Sequence, residues 1–362
     1  MSTIKRLVRL REALEELELD AFLVSSPENR RYLSGFTGSA GYLFISRTDA
    51  VLATDFRYIE QAGKQSPEFR VERTGASLAW LPEIASAASA RRVGFEAEVM
   101  TVGTHTAFLK AVTEADGDDS LKLVETSDMI DKIRATKYDE ELVLLTRAIE
   151  ITDRALDEIG PAIVPGMTEA QVAWDLEKSM REQGAEAMAF DIIVGAGTNG
   201  ALPHHRADDT VIRDGQSVVI DMGAAYEGYC ADLTRTIFVG EPDDTFKKVY
   251  STVLRAQLAA QEQVRAGMTG EETDAISRDV IVEAGYGDAF GHSLGHGVGL
   301  AVHEYPRVGP RAKDVLADGM VFTIEPGIYL PDWGGVRIED VVVMESGRAR
   351  VLSKAAKMDV DL

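Results

Sequence analysis

Cysteine and long apolar runs are both scarce in this sequence. Its single cysteine, Cys230, cannot form an internal disulfide bond, and no segment approaches 18 consecutive apolar residues. The first feature favours a reducing compartment, and the second predicts that nothing in the chain spans a membrane. The N-terminal segment has apolar residues at helical spacing among charges, which indicates an amphipathic helix and no signal peptide. We therefore expect a cytoplasmic protein.

Basic residues are also few in comparison with acidic ones. The sequence carries 38 lysine and arginine residues against 60 aspartate and glutamate residues, a formal net charge of −22. Such a field repels nucleic acid phosphates and anionic membranes, so we expect neither as a partner. Most of these carboxylates are expected on the solvated surface, but their excess also fits a site that collects divalent cations.

The length and the pattern of the chain predict two domains. At 362 residues it exceeds the size at which one hydrophobic core usually stops growing. Residues 1–130 alternate helical stretches with short β-like runs, at Ala21–Ser25, Tyr42–Ser46, Ala50–Thr54 and Arg92–Phe95. A long amphipathic helical pattern follows from about residue 133. We therefore predict an α/β (α+β) protein, with a mixed α/β domain at 1–130 and a second domain at 131–362.

The second predicted domain repeats one layout twice. Helical patterns at 138–160 and 168–184 precede strand-like runs at Ser217–Asp221 and Ala231–Val239, and helical patterns at 243–266 and 270–284 precede runs at Met320–Tyr329 and Gly335–Met344. No residue identity between the halves is evident, so the repeat is one of pattern only. Each half ends in strand-like runs that carry acidic residues at apolar-flanked positions.

Four acidic residues occupy these apolar contexts. Asp221 and Asp232 lie eleven residues apart in SVVIDMGAAYEGYCADLTRTIFVG. Glu325 and Glu339 lie in VFTIEPGIYL and GGVRIEDVVVM, which predicts a strand around each. A bare carboxylate is costly to bury, and a single such residue is more often an edge-strand acid or an ion-pair partner. Four of them, with only two nearby arginines, indicate a site where bound cations neutralise their mutual repulsion.

Histidines cluster in the same region of the sequence. Five of the six are His204, His205, His292, His296 and His303. His292 and His296 have the spacing of a helical zinc pair, but residue 293 is serine rather than glutamate and the surrounding glycines disfavour a helix. A glycine-rich loop that lines an active site is the better interpretation, with solvated loop histidines as the alternative. Four carboxylates and one imidazole suit a pair of Mn²⁺, Co²⁺ or Zn²⁺ ions.

The order and contexts of these residues resemble the pita-bread metallopeptidases, which include Xaa-Pro aminopeptidase, prolidase and methionine aminopeptidase. The family's ligand order Asp, Asp, His, Glu, Glu is met by Asp221, Asp232, His296, Glu325 and Glu339, in the contexts IDMG, DLTRT, GHGVG, TIEPGIY and GVRIED. The resemblance implies a creatinase-like N-terminal domain at 1–130. It also implies a pita-bread catalytic domain with a pseudo-twofold repeat at 131–362.

The resemblance also implies a metal arrangement. Asp221 would bind one ion, His296 and Glu325 would bind the other, and Asp232 and Glu339 would bridge both. Manganese is the favoured metal, with cobalt or zinc as alternatives. A water or hydroxide between the two ions would be the nucleophile, and Glu325 would pass its proton to the leaving amine.

Further residues match family positions near the substrate. The resemblance implies catalytic roles for His204, His292, His303, Glu325 and Arg337, and substrate contacts for His204, His292, His303, Tyr329 and Arg337. For Arg337 two interpretations stay open, a cationic partner for the substrate carboxylate or a clamp on Glu339. His205 is expected to be a neighbour without a role, and His105 to be a surface residue.

The function implied is hydrolysis of Xaa-Pro bonds, with an Xaa-Pro dipeptidase favoured over an Xaa-Pro aminopeptidase. One alternative is a relative that acts on a non-peptide C–N bond or as a lyase. Creatinase, the metal-free relative, illustrates that class, but no metal ligand has been lost here. A non-catalytic binding module is disfavoured for the same reason. Family members with this N-terminal domain are commonly dimers, so we expect a homodimer.

Overall fold

The chain divides into two compact units, Met1–Arg134 and Ala135–Leu362. The structure is a computed structural model that describes residues 3–116 and 121–360. The domain boundary expected between residues 130 and 131 lies inside a short helix, Met129–Ala135. Within the described ranges, no helix combines the length and apolar composition needed to cross a bilayer.

The first unit is a mixed sheet with helices around it. Its described helices are α1 (Thr3–Glu16), α2 (Pro27–Ser34), α3 (Ile59–Gln65), α4 (Trp80–Ala87), α5 (Val102–Asp116) and α6 (Met129–Ala135). Its described strands are β1 (Ala21–Val24), β2 (Tyr42–Ser46), β3 (Ala50–Thr54), β4 (Arg70–Arg73), β5 (Arg92–Glu96) and β6 (Lys122–Thr126). They pair in the order β4-β3-β2-β1-β5-β6, with the pairs β1–β2 and β2–β3 antiparallel and the remaining pairs parallel.

Apolar periodicity explains most of these elements. Leu7, Leu10 and Leu14 form the buried stripe of α1, and all four residues of β1 are buried, as expected of a central strand. The strands predicted at β1, β2, β3 and β5 are confirmed. Strand β4 was missed because its sequence, RVER, has no buried apolar face.

The second unit contains the longer helices. Those described are α7 (Asp139–Ile159), α8 (Glu169–Glu182), α9 (Asp244–Gln263) and α10 (Gly270–Glu283). The described strands are β7 (Ala187–Met188), β8 (Ile193–Ala196), β9 (Gln216–Met222), β10 (Ala224–Tyr226), β11 (Tyr229–Cys230), β12 (Leu233–Val239), β13 (Gly295–Gly297), β14 (Glu304–Val308), β15 (Val321–Ile324), β16 (Gly327–Leu330), β17 (Gly334–Arg337), β18 (Asp340–Glu345) and β19 (Arg348–Val351). The sheets run β11-β10-β7, β12-β9-β8, β14-β13-β15-β18-β19 and β16-β17.

The two halves of this unit share a helix start at the residue level. Thr168 and Thr269 cap the N-termini of α8 and α10, and each threonine forms a capping box with the third residue of its helix. Gly-Met precedes both threonines, and Gly166 and Gly267 have φ of 99° and 93°. A left-handed backbone favours glycine at both turns. The expectation that the halves share no residue identity is therefore wrong at this turn.

Two of the predicted strands are each broken in two. The run Met320–Tyr329 forms β15 and β16, and the run Gly335–Met344 forms β17 and β18. The first break follows Glu325, because Pro326 has no N–H to continue a ladder. At the second break the Glu339 N–H bonds to the Thr234 carbonyl oxygen at 3.1 Å, so the chain changes its pairing partner. Glu325 and Glu339 therefore lie at strand ends, not inside strands as predicted.

A buried ion pair links the second break to the C-terminal segment. Arg235 of β12 is 2% exposed, and its guanidinium lies 2.7 Å from the Asp340 carboxylate. It also donates to the carbonyl oxygens of Glu339 and Ala355. The other carboxylate oxygen of Asp340 accepts from Lys357 at 2.7 Å. The ion pair and its hydrogen bonds therefore hold the backbone at Glu339 and attach the C-terminal segment to the rest of the second unit.

We predict that Arg235→Met lowers the free energy of unfolding by about 3–5 kcal/mol, because it leaves the Asp340 carboxylate buried without its main cationic partner. Urea unfolding followed by circular dichroism measures this change. Arg350→Met is the matched control, because Arg350 is half exposed and pairs with the exposed Glu345; its loss should cost at most about 1 kcal/mol. Equal effects of the two substitutions would contradict the importance of the buried pair.

Candidate metal centre

One cavity of about 540 Å³ in the second unit brings the predicted site residues together. Its lining includes His204, Asp221, Asp232, His292, His296, His303, Glu325, Tyr329, Arg337 and Glu339. These residues come from six separate stretches of sequence. The fold thus places all ten around one space large enough for a small peptide.

Neighbouring strands position the two aspartates. Asp221 lies in β9, and Asp232 lies directly before β12. The antiparallel pairing of β9 with β12 places Thr234 opposite Asp221. The two carboxylates therefore meet at the same end of a strand pair, although ten residues separate them in sequence.

The imidazole of His296 lies on the next sheet, where glycine permits a close approach of strands. His296 is the middle residue of β13. A Cβ at Gly295 would lie 2.0 Å from the Thr323 carbonyl oxygen, and one at Gly297 would lie 2.2 Å from the Tyr305 carbonyl oxygen. The GHG sequence thus lets His296 pack against its neighbouring strands. The predicted absence of a helix around His292 and His296 is confirmed.

The donor atoms of these residues lie close together. His296 Nε2 is 3.2 Å from Glu325 Oε1 and 3.6 Å from Asp232 Oδ2. Asp232, His296 and Glu339 each offer a donor atom within 4.8 Å of the others. His296 Nδ1 is 3.1 Å from the Gly297 carbonyl oxygen, which can only accept. In the neutral ring Nδ1 therefore carries the proton, and the Nε2 lone pair faces the carboxylates, as in metal-binding histidines.

The carboxylates of the centre need positive charge nearby in order to be ionised together. Burial, and then the neighbouring carboxylates, hold the pKa of both Asp232 and Glu339 well above the usual range. Burial also raises the pKa of Asp221, although Arg337 opposes the shift. For Glu325, burial acts to raise the pKa, but the hydrogen bond and charge of His296 outweigh it and lower the pKa to about 2.

Two carboxylate oxygens in this centre lack partners. Among the described residues, neither Asp221 Oδ1 nor Glu339 Oε1 has a hydrogen-bond partner, although both atoms are buried. Buried polar atoms are normally satisfied, and an orphaned one calls for an unseen water or ion. Four crowded carboxylates with one imidazole make the hard, oxygen-rich donor set that divalent cations prefer. The residues present therefore fit a dinuclear metal site.

Arg337 is a buried residue that donates hydrogen bonds to the side chains of the centre. It is 3% exposed and donates to Asp221 at 2.6 Å, to the Thr234 hydroxyl at 3.0 Å and to the Tyr329 hydroxyl at 2.9 Å. The Thr234 hydroxyl donates in turn to Glu339 at 2.8 Å. Of the two interpretations left open, the geometry supports the clamp, which acts directly on Asp221 and only through Thr234 on Glu339.

A hydrogen-bond chain joins Arg337 to His292. His292 Nδ1 is 2.8 Å from the Ser293 carbonyl oxygen, and its Nε2 is 2.8 Å from the Tyr329 hydroxyl. With a neutral ring, Nδ1 donates to Ser293, and Tyr329 accepts from Arg337 while donating to Nε2. Burial lowers the pKa of His292, which favours this neutral form.

The remaining imidazoles line the open side of the cavity. His204 and His303 are both exposed residues. The His303 ring lies 4.1 Å from that of His296, measured between centroids. Burial, and then the nearby His296, lower the pKa of His303. His303 is therefore a neutral ring at neutral pH.

Several lining residues were not predicted. Phe190, Ile193, Arg206, Val302 and Arg307 also line the cavity. Arg206 directly follows the histidine pair in sequence, which is the one signal that could have identified it. The other four lie in stretches without a motif, so only the folded chain reveals them.

The two histidines expected to have no role behave differently from each other. His205 also lines the cavity, and its Nε2 lies 2.6 Å from the buried carboxylate of Glu169. His105 is part of the first unit, where its ring packs against Phe95 with centroids 4.9 Å apart. His205 therefore has a specific partner that the sequence did not reveal, because Glu169 lies 36 residues away and no local pattern shows the contact.

Both units match known protein families. The profile of metallopeptidase family M24 matches residues 143–346, and that of the creatinase/prolidase N-terminal domain matches residues 6–136. An uncharacterized peptidase, YqhT of Bacillus subtilis, is 42% identical over 97% of this chain and 98% of its own. The Xaa-Pro dipeptidase of Pyrococcus horikoshii is 37% identical over 98% of each chain. The solved Xaa-Pro dipeptidase from Bacillus anthracis superposes with a TM-score of 0.93 at 42% identity, covering 100% of both chains. The predicted fold class, a creatinase-like domain followed by a metallopeptidase domain, is confirmed.

We predict that Mn²⁺ stabilises the metal-stripped protein more strongly as the pH rises from about 5 to about 8. Asp232 and Glu339 have raised pKa values in the folded protein without metal. The folded state therefore keeps protons that the unfolded state has lost, and its stability falls as pH rises towards those raised pKa values. Metal ions replace the protons, so their stabilising effect grows over the same range.

Thermal unfolding of stripped protein, with and without Mn²⁺ at several pH values, measures the effect. Glu339→Gln provides the control, because an amide does not titrate and the pH dependence should shrink. A Mn²⁺-induced rise in Tm that is the same at every pH would contradict this account of the centre.

Proposed function

The chain belongs to metallopeptidase family M24, and from this premise we propose that it hydrolyses the bond between a first residue and a following proline. We favour dipeptides over longer peptides, because proteins named Xaa-Pro dipeptidase match it over almost the full length of both chains. The observation that carries the proposal is the convergence of five metal-type side chains in one cavity of peptide size.

The donor set and the family support divalent metal ions as cofactors. We propose that two are bound, with Mn²⁺ preferred to Co²⁺ or Zn²⁺. The residues that would hold them are Asp221, Asp232, His296, Glu325 and Glu339, with Asp232 and Glu339 shared between the two ions. When bound, the cations supply Lewis acidity and lower the pKa of a water molecule. The two buried oxygens without partners, on Asp221 and Glu339, support this assignment.

The remaining steps fall to side chains of the cavity. Glu325 is the carboxylate that would take a proton from the attacking water and deliver it to the leaving nitrogen. His303, neutral because burial lowers its pKa, would donate from a ring N–H to the oxygen that becomes negative. His292 and His204 would contact the substrate, and His292 is held by Tyr329.

Selection for proline must rest on shape. An Xaa-Pro bond has no amide N–H, so no acceptor can recognise it by a hydrogen bond. Phe190, Ile193 and Val302 give the cavity an apolar face that suits a pyrrolidine ring. None of these three side chains is a proposed metal donor, so the ring and the metal ions would use different parts of the cavity lining.

The carboxylate of a dipeptide needs a local cation on a protein of net charge −22. The guanidinium of Arg337 already donates to Asp221, Thr234 and Tyr329. We therefore propose that Arg337 acts on the substrate through Tyr329 and Asp221. The exposed Arg206 and Arg307, which line the same cavity, would pair with the carboxylate.

The setting of the enzyme is also proposed. We infer a cytoplasmic homodimer from the resemblance to family members that carry this N-terminal domain. The net charge of −22 argues against a nucleic acid or membrane partner. A metal-free enzyme acting on another C–N bond, or a lyase, is disfavoured because the complete donor set is present, and the same reason disfavours a non-catalytic binding module.

We predict that the Mn²⁺-loaded protein cleaves Ala-Pro, cleaves Ala-Pro-Ala more slowly and leaves Ala-Ala intact. The apolar cavity face favours the proline ring, and the cationic residues favour a carboxylate directly after it. Chromatographic detection of released alanine measures all three rates. Cleavage of Ala-Ala at the rate of Ala-Pro would exclude proline specificity, and faster cleavage of Ala-Pro-Ala would make the protein an aminopeptidase.

We also predict that metal binding and catalysis separate in two variants. Asp232→Ala removes a shared donor and should lower both metal stoichiometry and turnover. His303→Ala should keep both ions and lower kcat by about 10²-fold, the typical cost of a lost oxyanion donor. Elemental analysis and steady-state kinetics measure the two quantities, and His105→Ala in the first unit is the control that should change neither. Loss of metal from His303→Ala would show that His303 is itself a ligand.

A further inference from the structure

A second buried carboxylate, Glu169, lies outside the metal centre. It is the first residue of α8 and is 0% exposed. A buried carboxylate is costly unless hydrogen bonds or charges compensate it. The groups that compensate Glu169 therefore show which part of the chain it organises.

All four donors to Glu169 come from one loop. Its Oε1 accepts from the Ala196 N–H at 2.8 Å and from the Asn199 side-chain amide at 3.0 Å. Its Oε2 accepts from His205 Nε2 at 2.6 Å and from the Asp208 N–H at 3.4 Å. The carboxylate thus lies inside the segment 196–208, and both of its oxygens are used.

The same segment is bonded to the backbone at the start of α8. The N–H of Glu169 donates to the Thr210 carbonyl oxygen at 3.1 Å, and the N–H of Ala170 donates to that of Asp208 at 2.9 Å. Thr168 forms a bridge with Val211. The loop 196–211 therefore satisfies N–H groups that the first turn of a helix leaves without partners, and the buried carboxylate of Glu169 bonds to the same loop.

This loop carries residues of the proposed active site. His204 and Arg206, on either side of His205, both line the cavity. The His205 N–H also bonds to the Leu202 carbonyl oxygen at 3.0 Å, which tightens the turn before it. Holding the His205 ring against Glu169 therefore limits where its two neighbours can point.

A metal ion is not needed to explain this cluster. Glu169, His205 and Asp208 have donor atoms within 4.8 Å of one another. However, the two oxygens of Glu169 already accept four hydrogen bonds, and Asp208 is exposed. The cluster is accounted for by the loop itself.

We propose that Glu169 and His205 are a positioning pair that holds the loop 196–211 and thereby places His204 against the substrate. Neither residue is a proposed metal donor, and the pair acts through the loop. This inference rests on the proposed peptidase activity.

The test compares kcat/KM for Ala-Pro among variants of the Mn²⁺-loaded enzyme. Glu169→Gln and His205→Leu should each lower it about tenfold, the size expected from one lost charge-assisted hydrogen bond. Both variants should still bind two metal ions. His205→Gln should recover most of the activity, because its amide nitrogen can donate from nearly the position of Nε2.

A double-mutant cycle separates positioning from general destabilisation. If Glu169 acts through His204, the double variant Glu169→Gln/His204→Ala should be no slower than His204→Ala alone. Losses that multiply would overturn the proposal, and so would a Glu169→Gln enzyme with full kcat/KM.

Glu96→Gln is the matched control. Glu96 is a buried carboxylate of the first unit that also accepts four hydrogen bonds, from Ser25, Ser26 and Asn29. Its replacement should lower Tm and leave kcat/KM unchanged. An equal fall in kcat/KM would show that the Glu169 effect is a general result of losing a buried charge.

Hydrogen exchange distinguishes failure of this inference from failure of the proposed function. In Glu169→Gln, the backbone amides of the segment 196–211 should exchange faster than in the wild type, whatever the activity. If the wild type does not cleave Ala-Pro but the exchange is faster, the proposed function fails and the loop role of the pair stands. If the wild type cleaves Ala-Pro and the exchange is unchanged, the positioning pair is overturned.

Discussion

The crowding of four carboxylates in one buried cavity is the constraint on which the second unit depends. Burial and mutual repulsion raise the pKa of Asp232 and Glu339, and buried oxygens of Asp221 and Glu339 lack partners among the described residues. Such an arrangement is unfavourable by itself, because each ionised group lacks water and faces a like charge. Only bound cations, supplemented by Arg337 and His296, make it a stable feature of a folded protein.

The surrounding structure holds these groups in place despite their repulsion. Glu339 is held on its side chain by Thr234 and on its backbone by Thr234 and Arg235. The charge of Arg235 is balanced in turn by Asp340. The hydrogen bonds that hold Glu339 are therefore connected, through Arg235, to the C-terminal segment. The breaks in the strands have a similar effect, because they turn Glu325 and Glu339 towards the cavity and away from the regular ladder of backbone hydrogen bonds.

The imidazoles on the substrate side of the cavity are held in a different way. Burial lowers the pKa of His292 and His303, and the neutral His303 ring can donate to a developing negative charge without adding fixed positive charge. Their positions depend on neighbours: Tyr329 for His292, and the loop organised by Glu169 for His204. The substrate side therefore rests on hydrogen bonds from a strand residue, Tyr329 of β16, and from the loop 196–211.

The sequence by itself determined the family resemblance, the long helices and all ten predicted residues that line the cavity. It could do so because ligand chemistry requires particular side chains, and because their flanking glycines and prolines act locally and leave short motifs. The tertiary structure alone decided how these residues are held. Arg337 meets Asp221 across 116 residues, and His205 meets Glu169 across 36. The strand break at Glu339 likewise depends on Thr234, 105 residues before it. Such contacts arise from the pairing of distant segments, and no local pattern of residues encodes them.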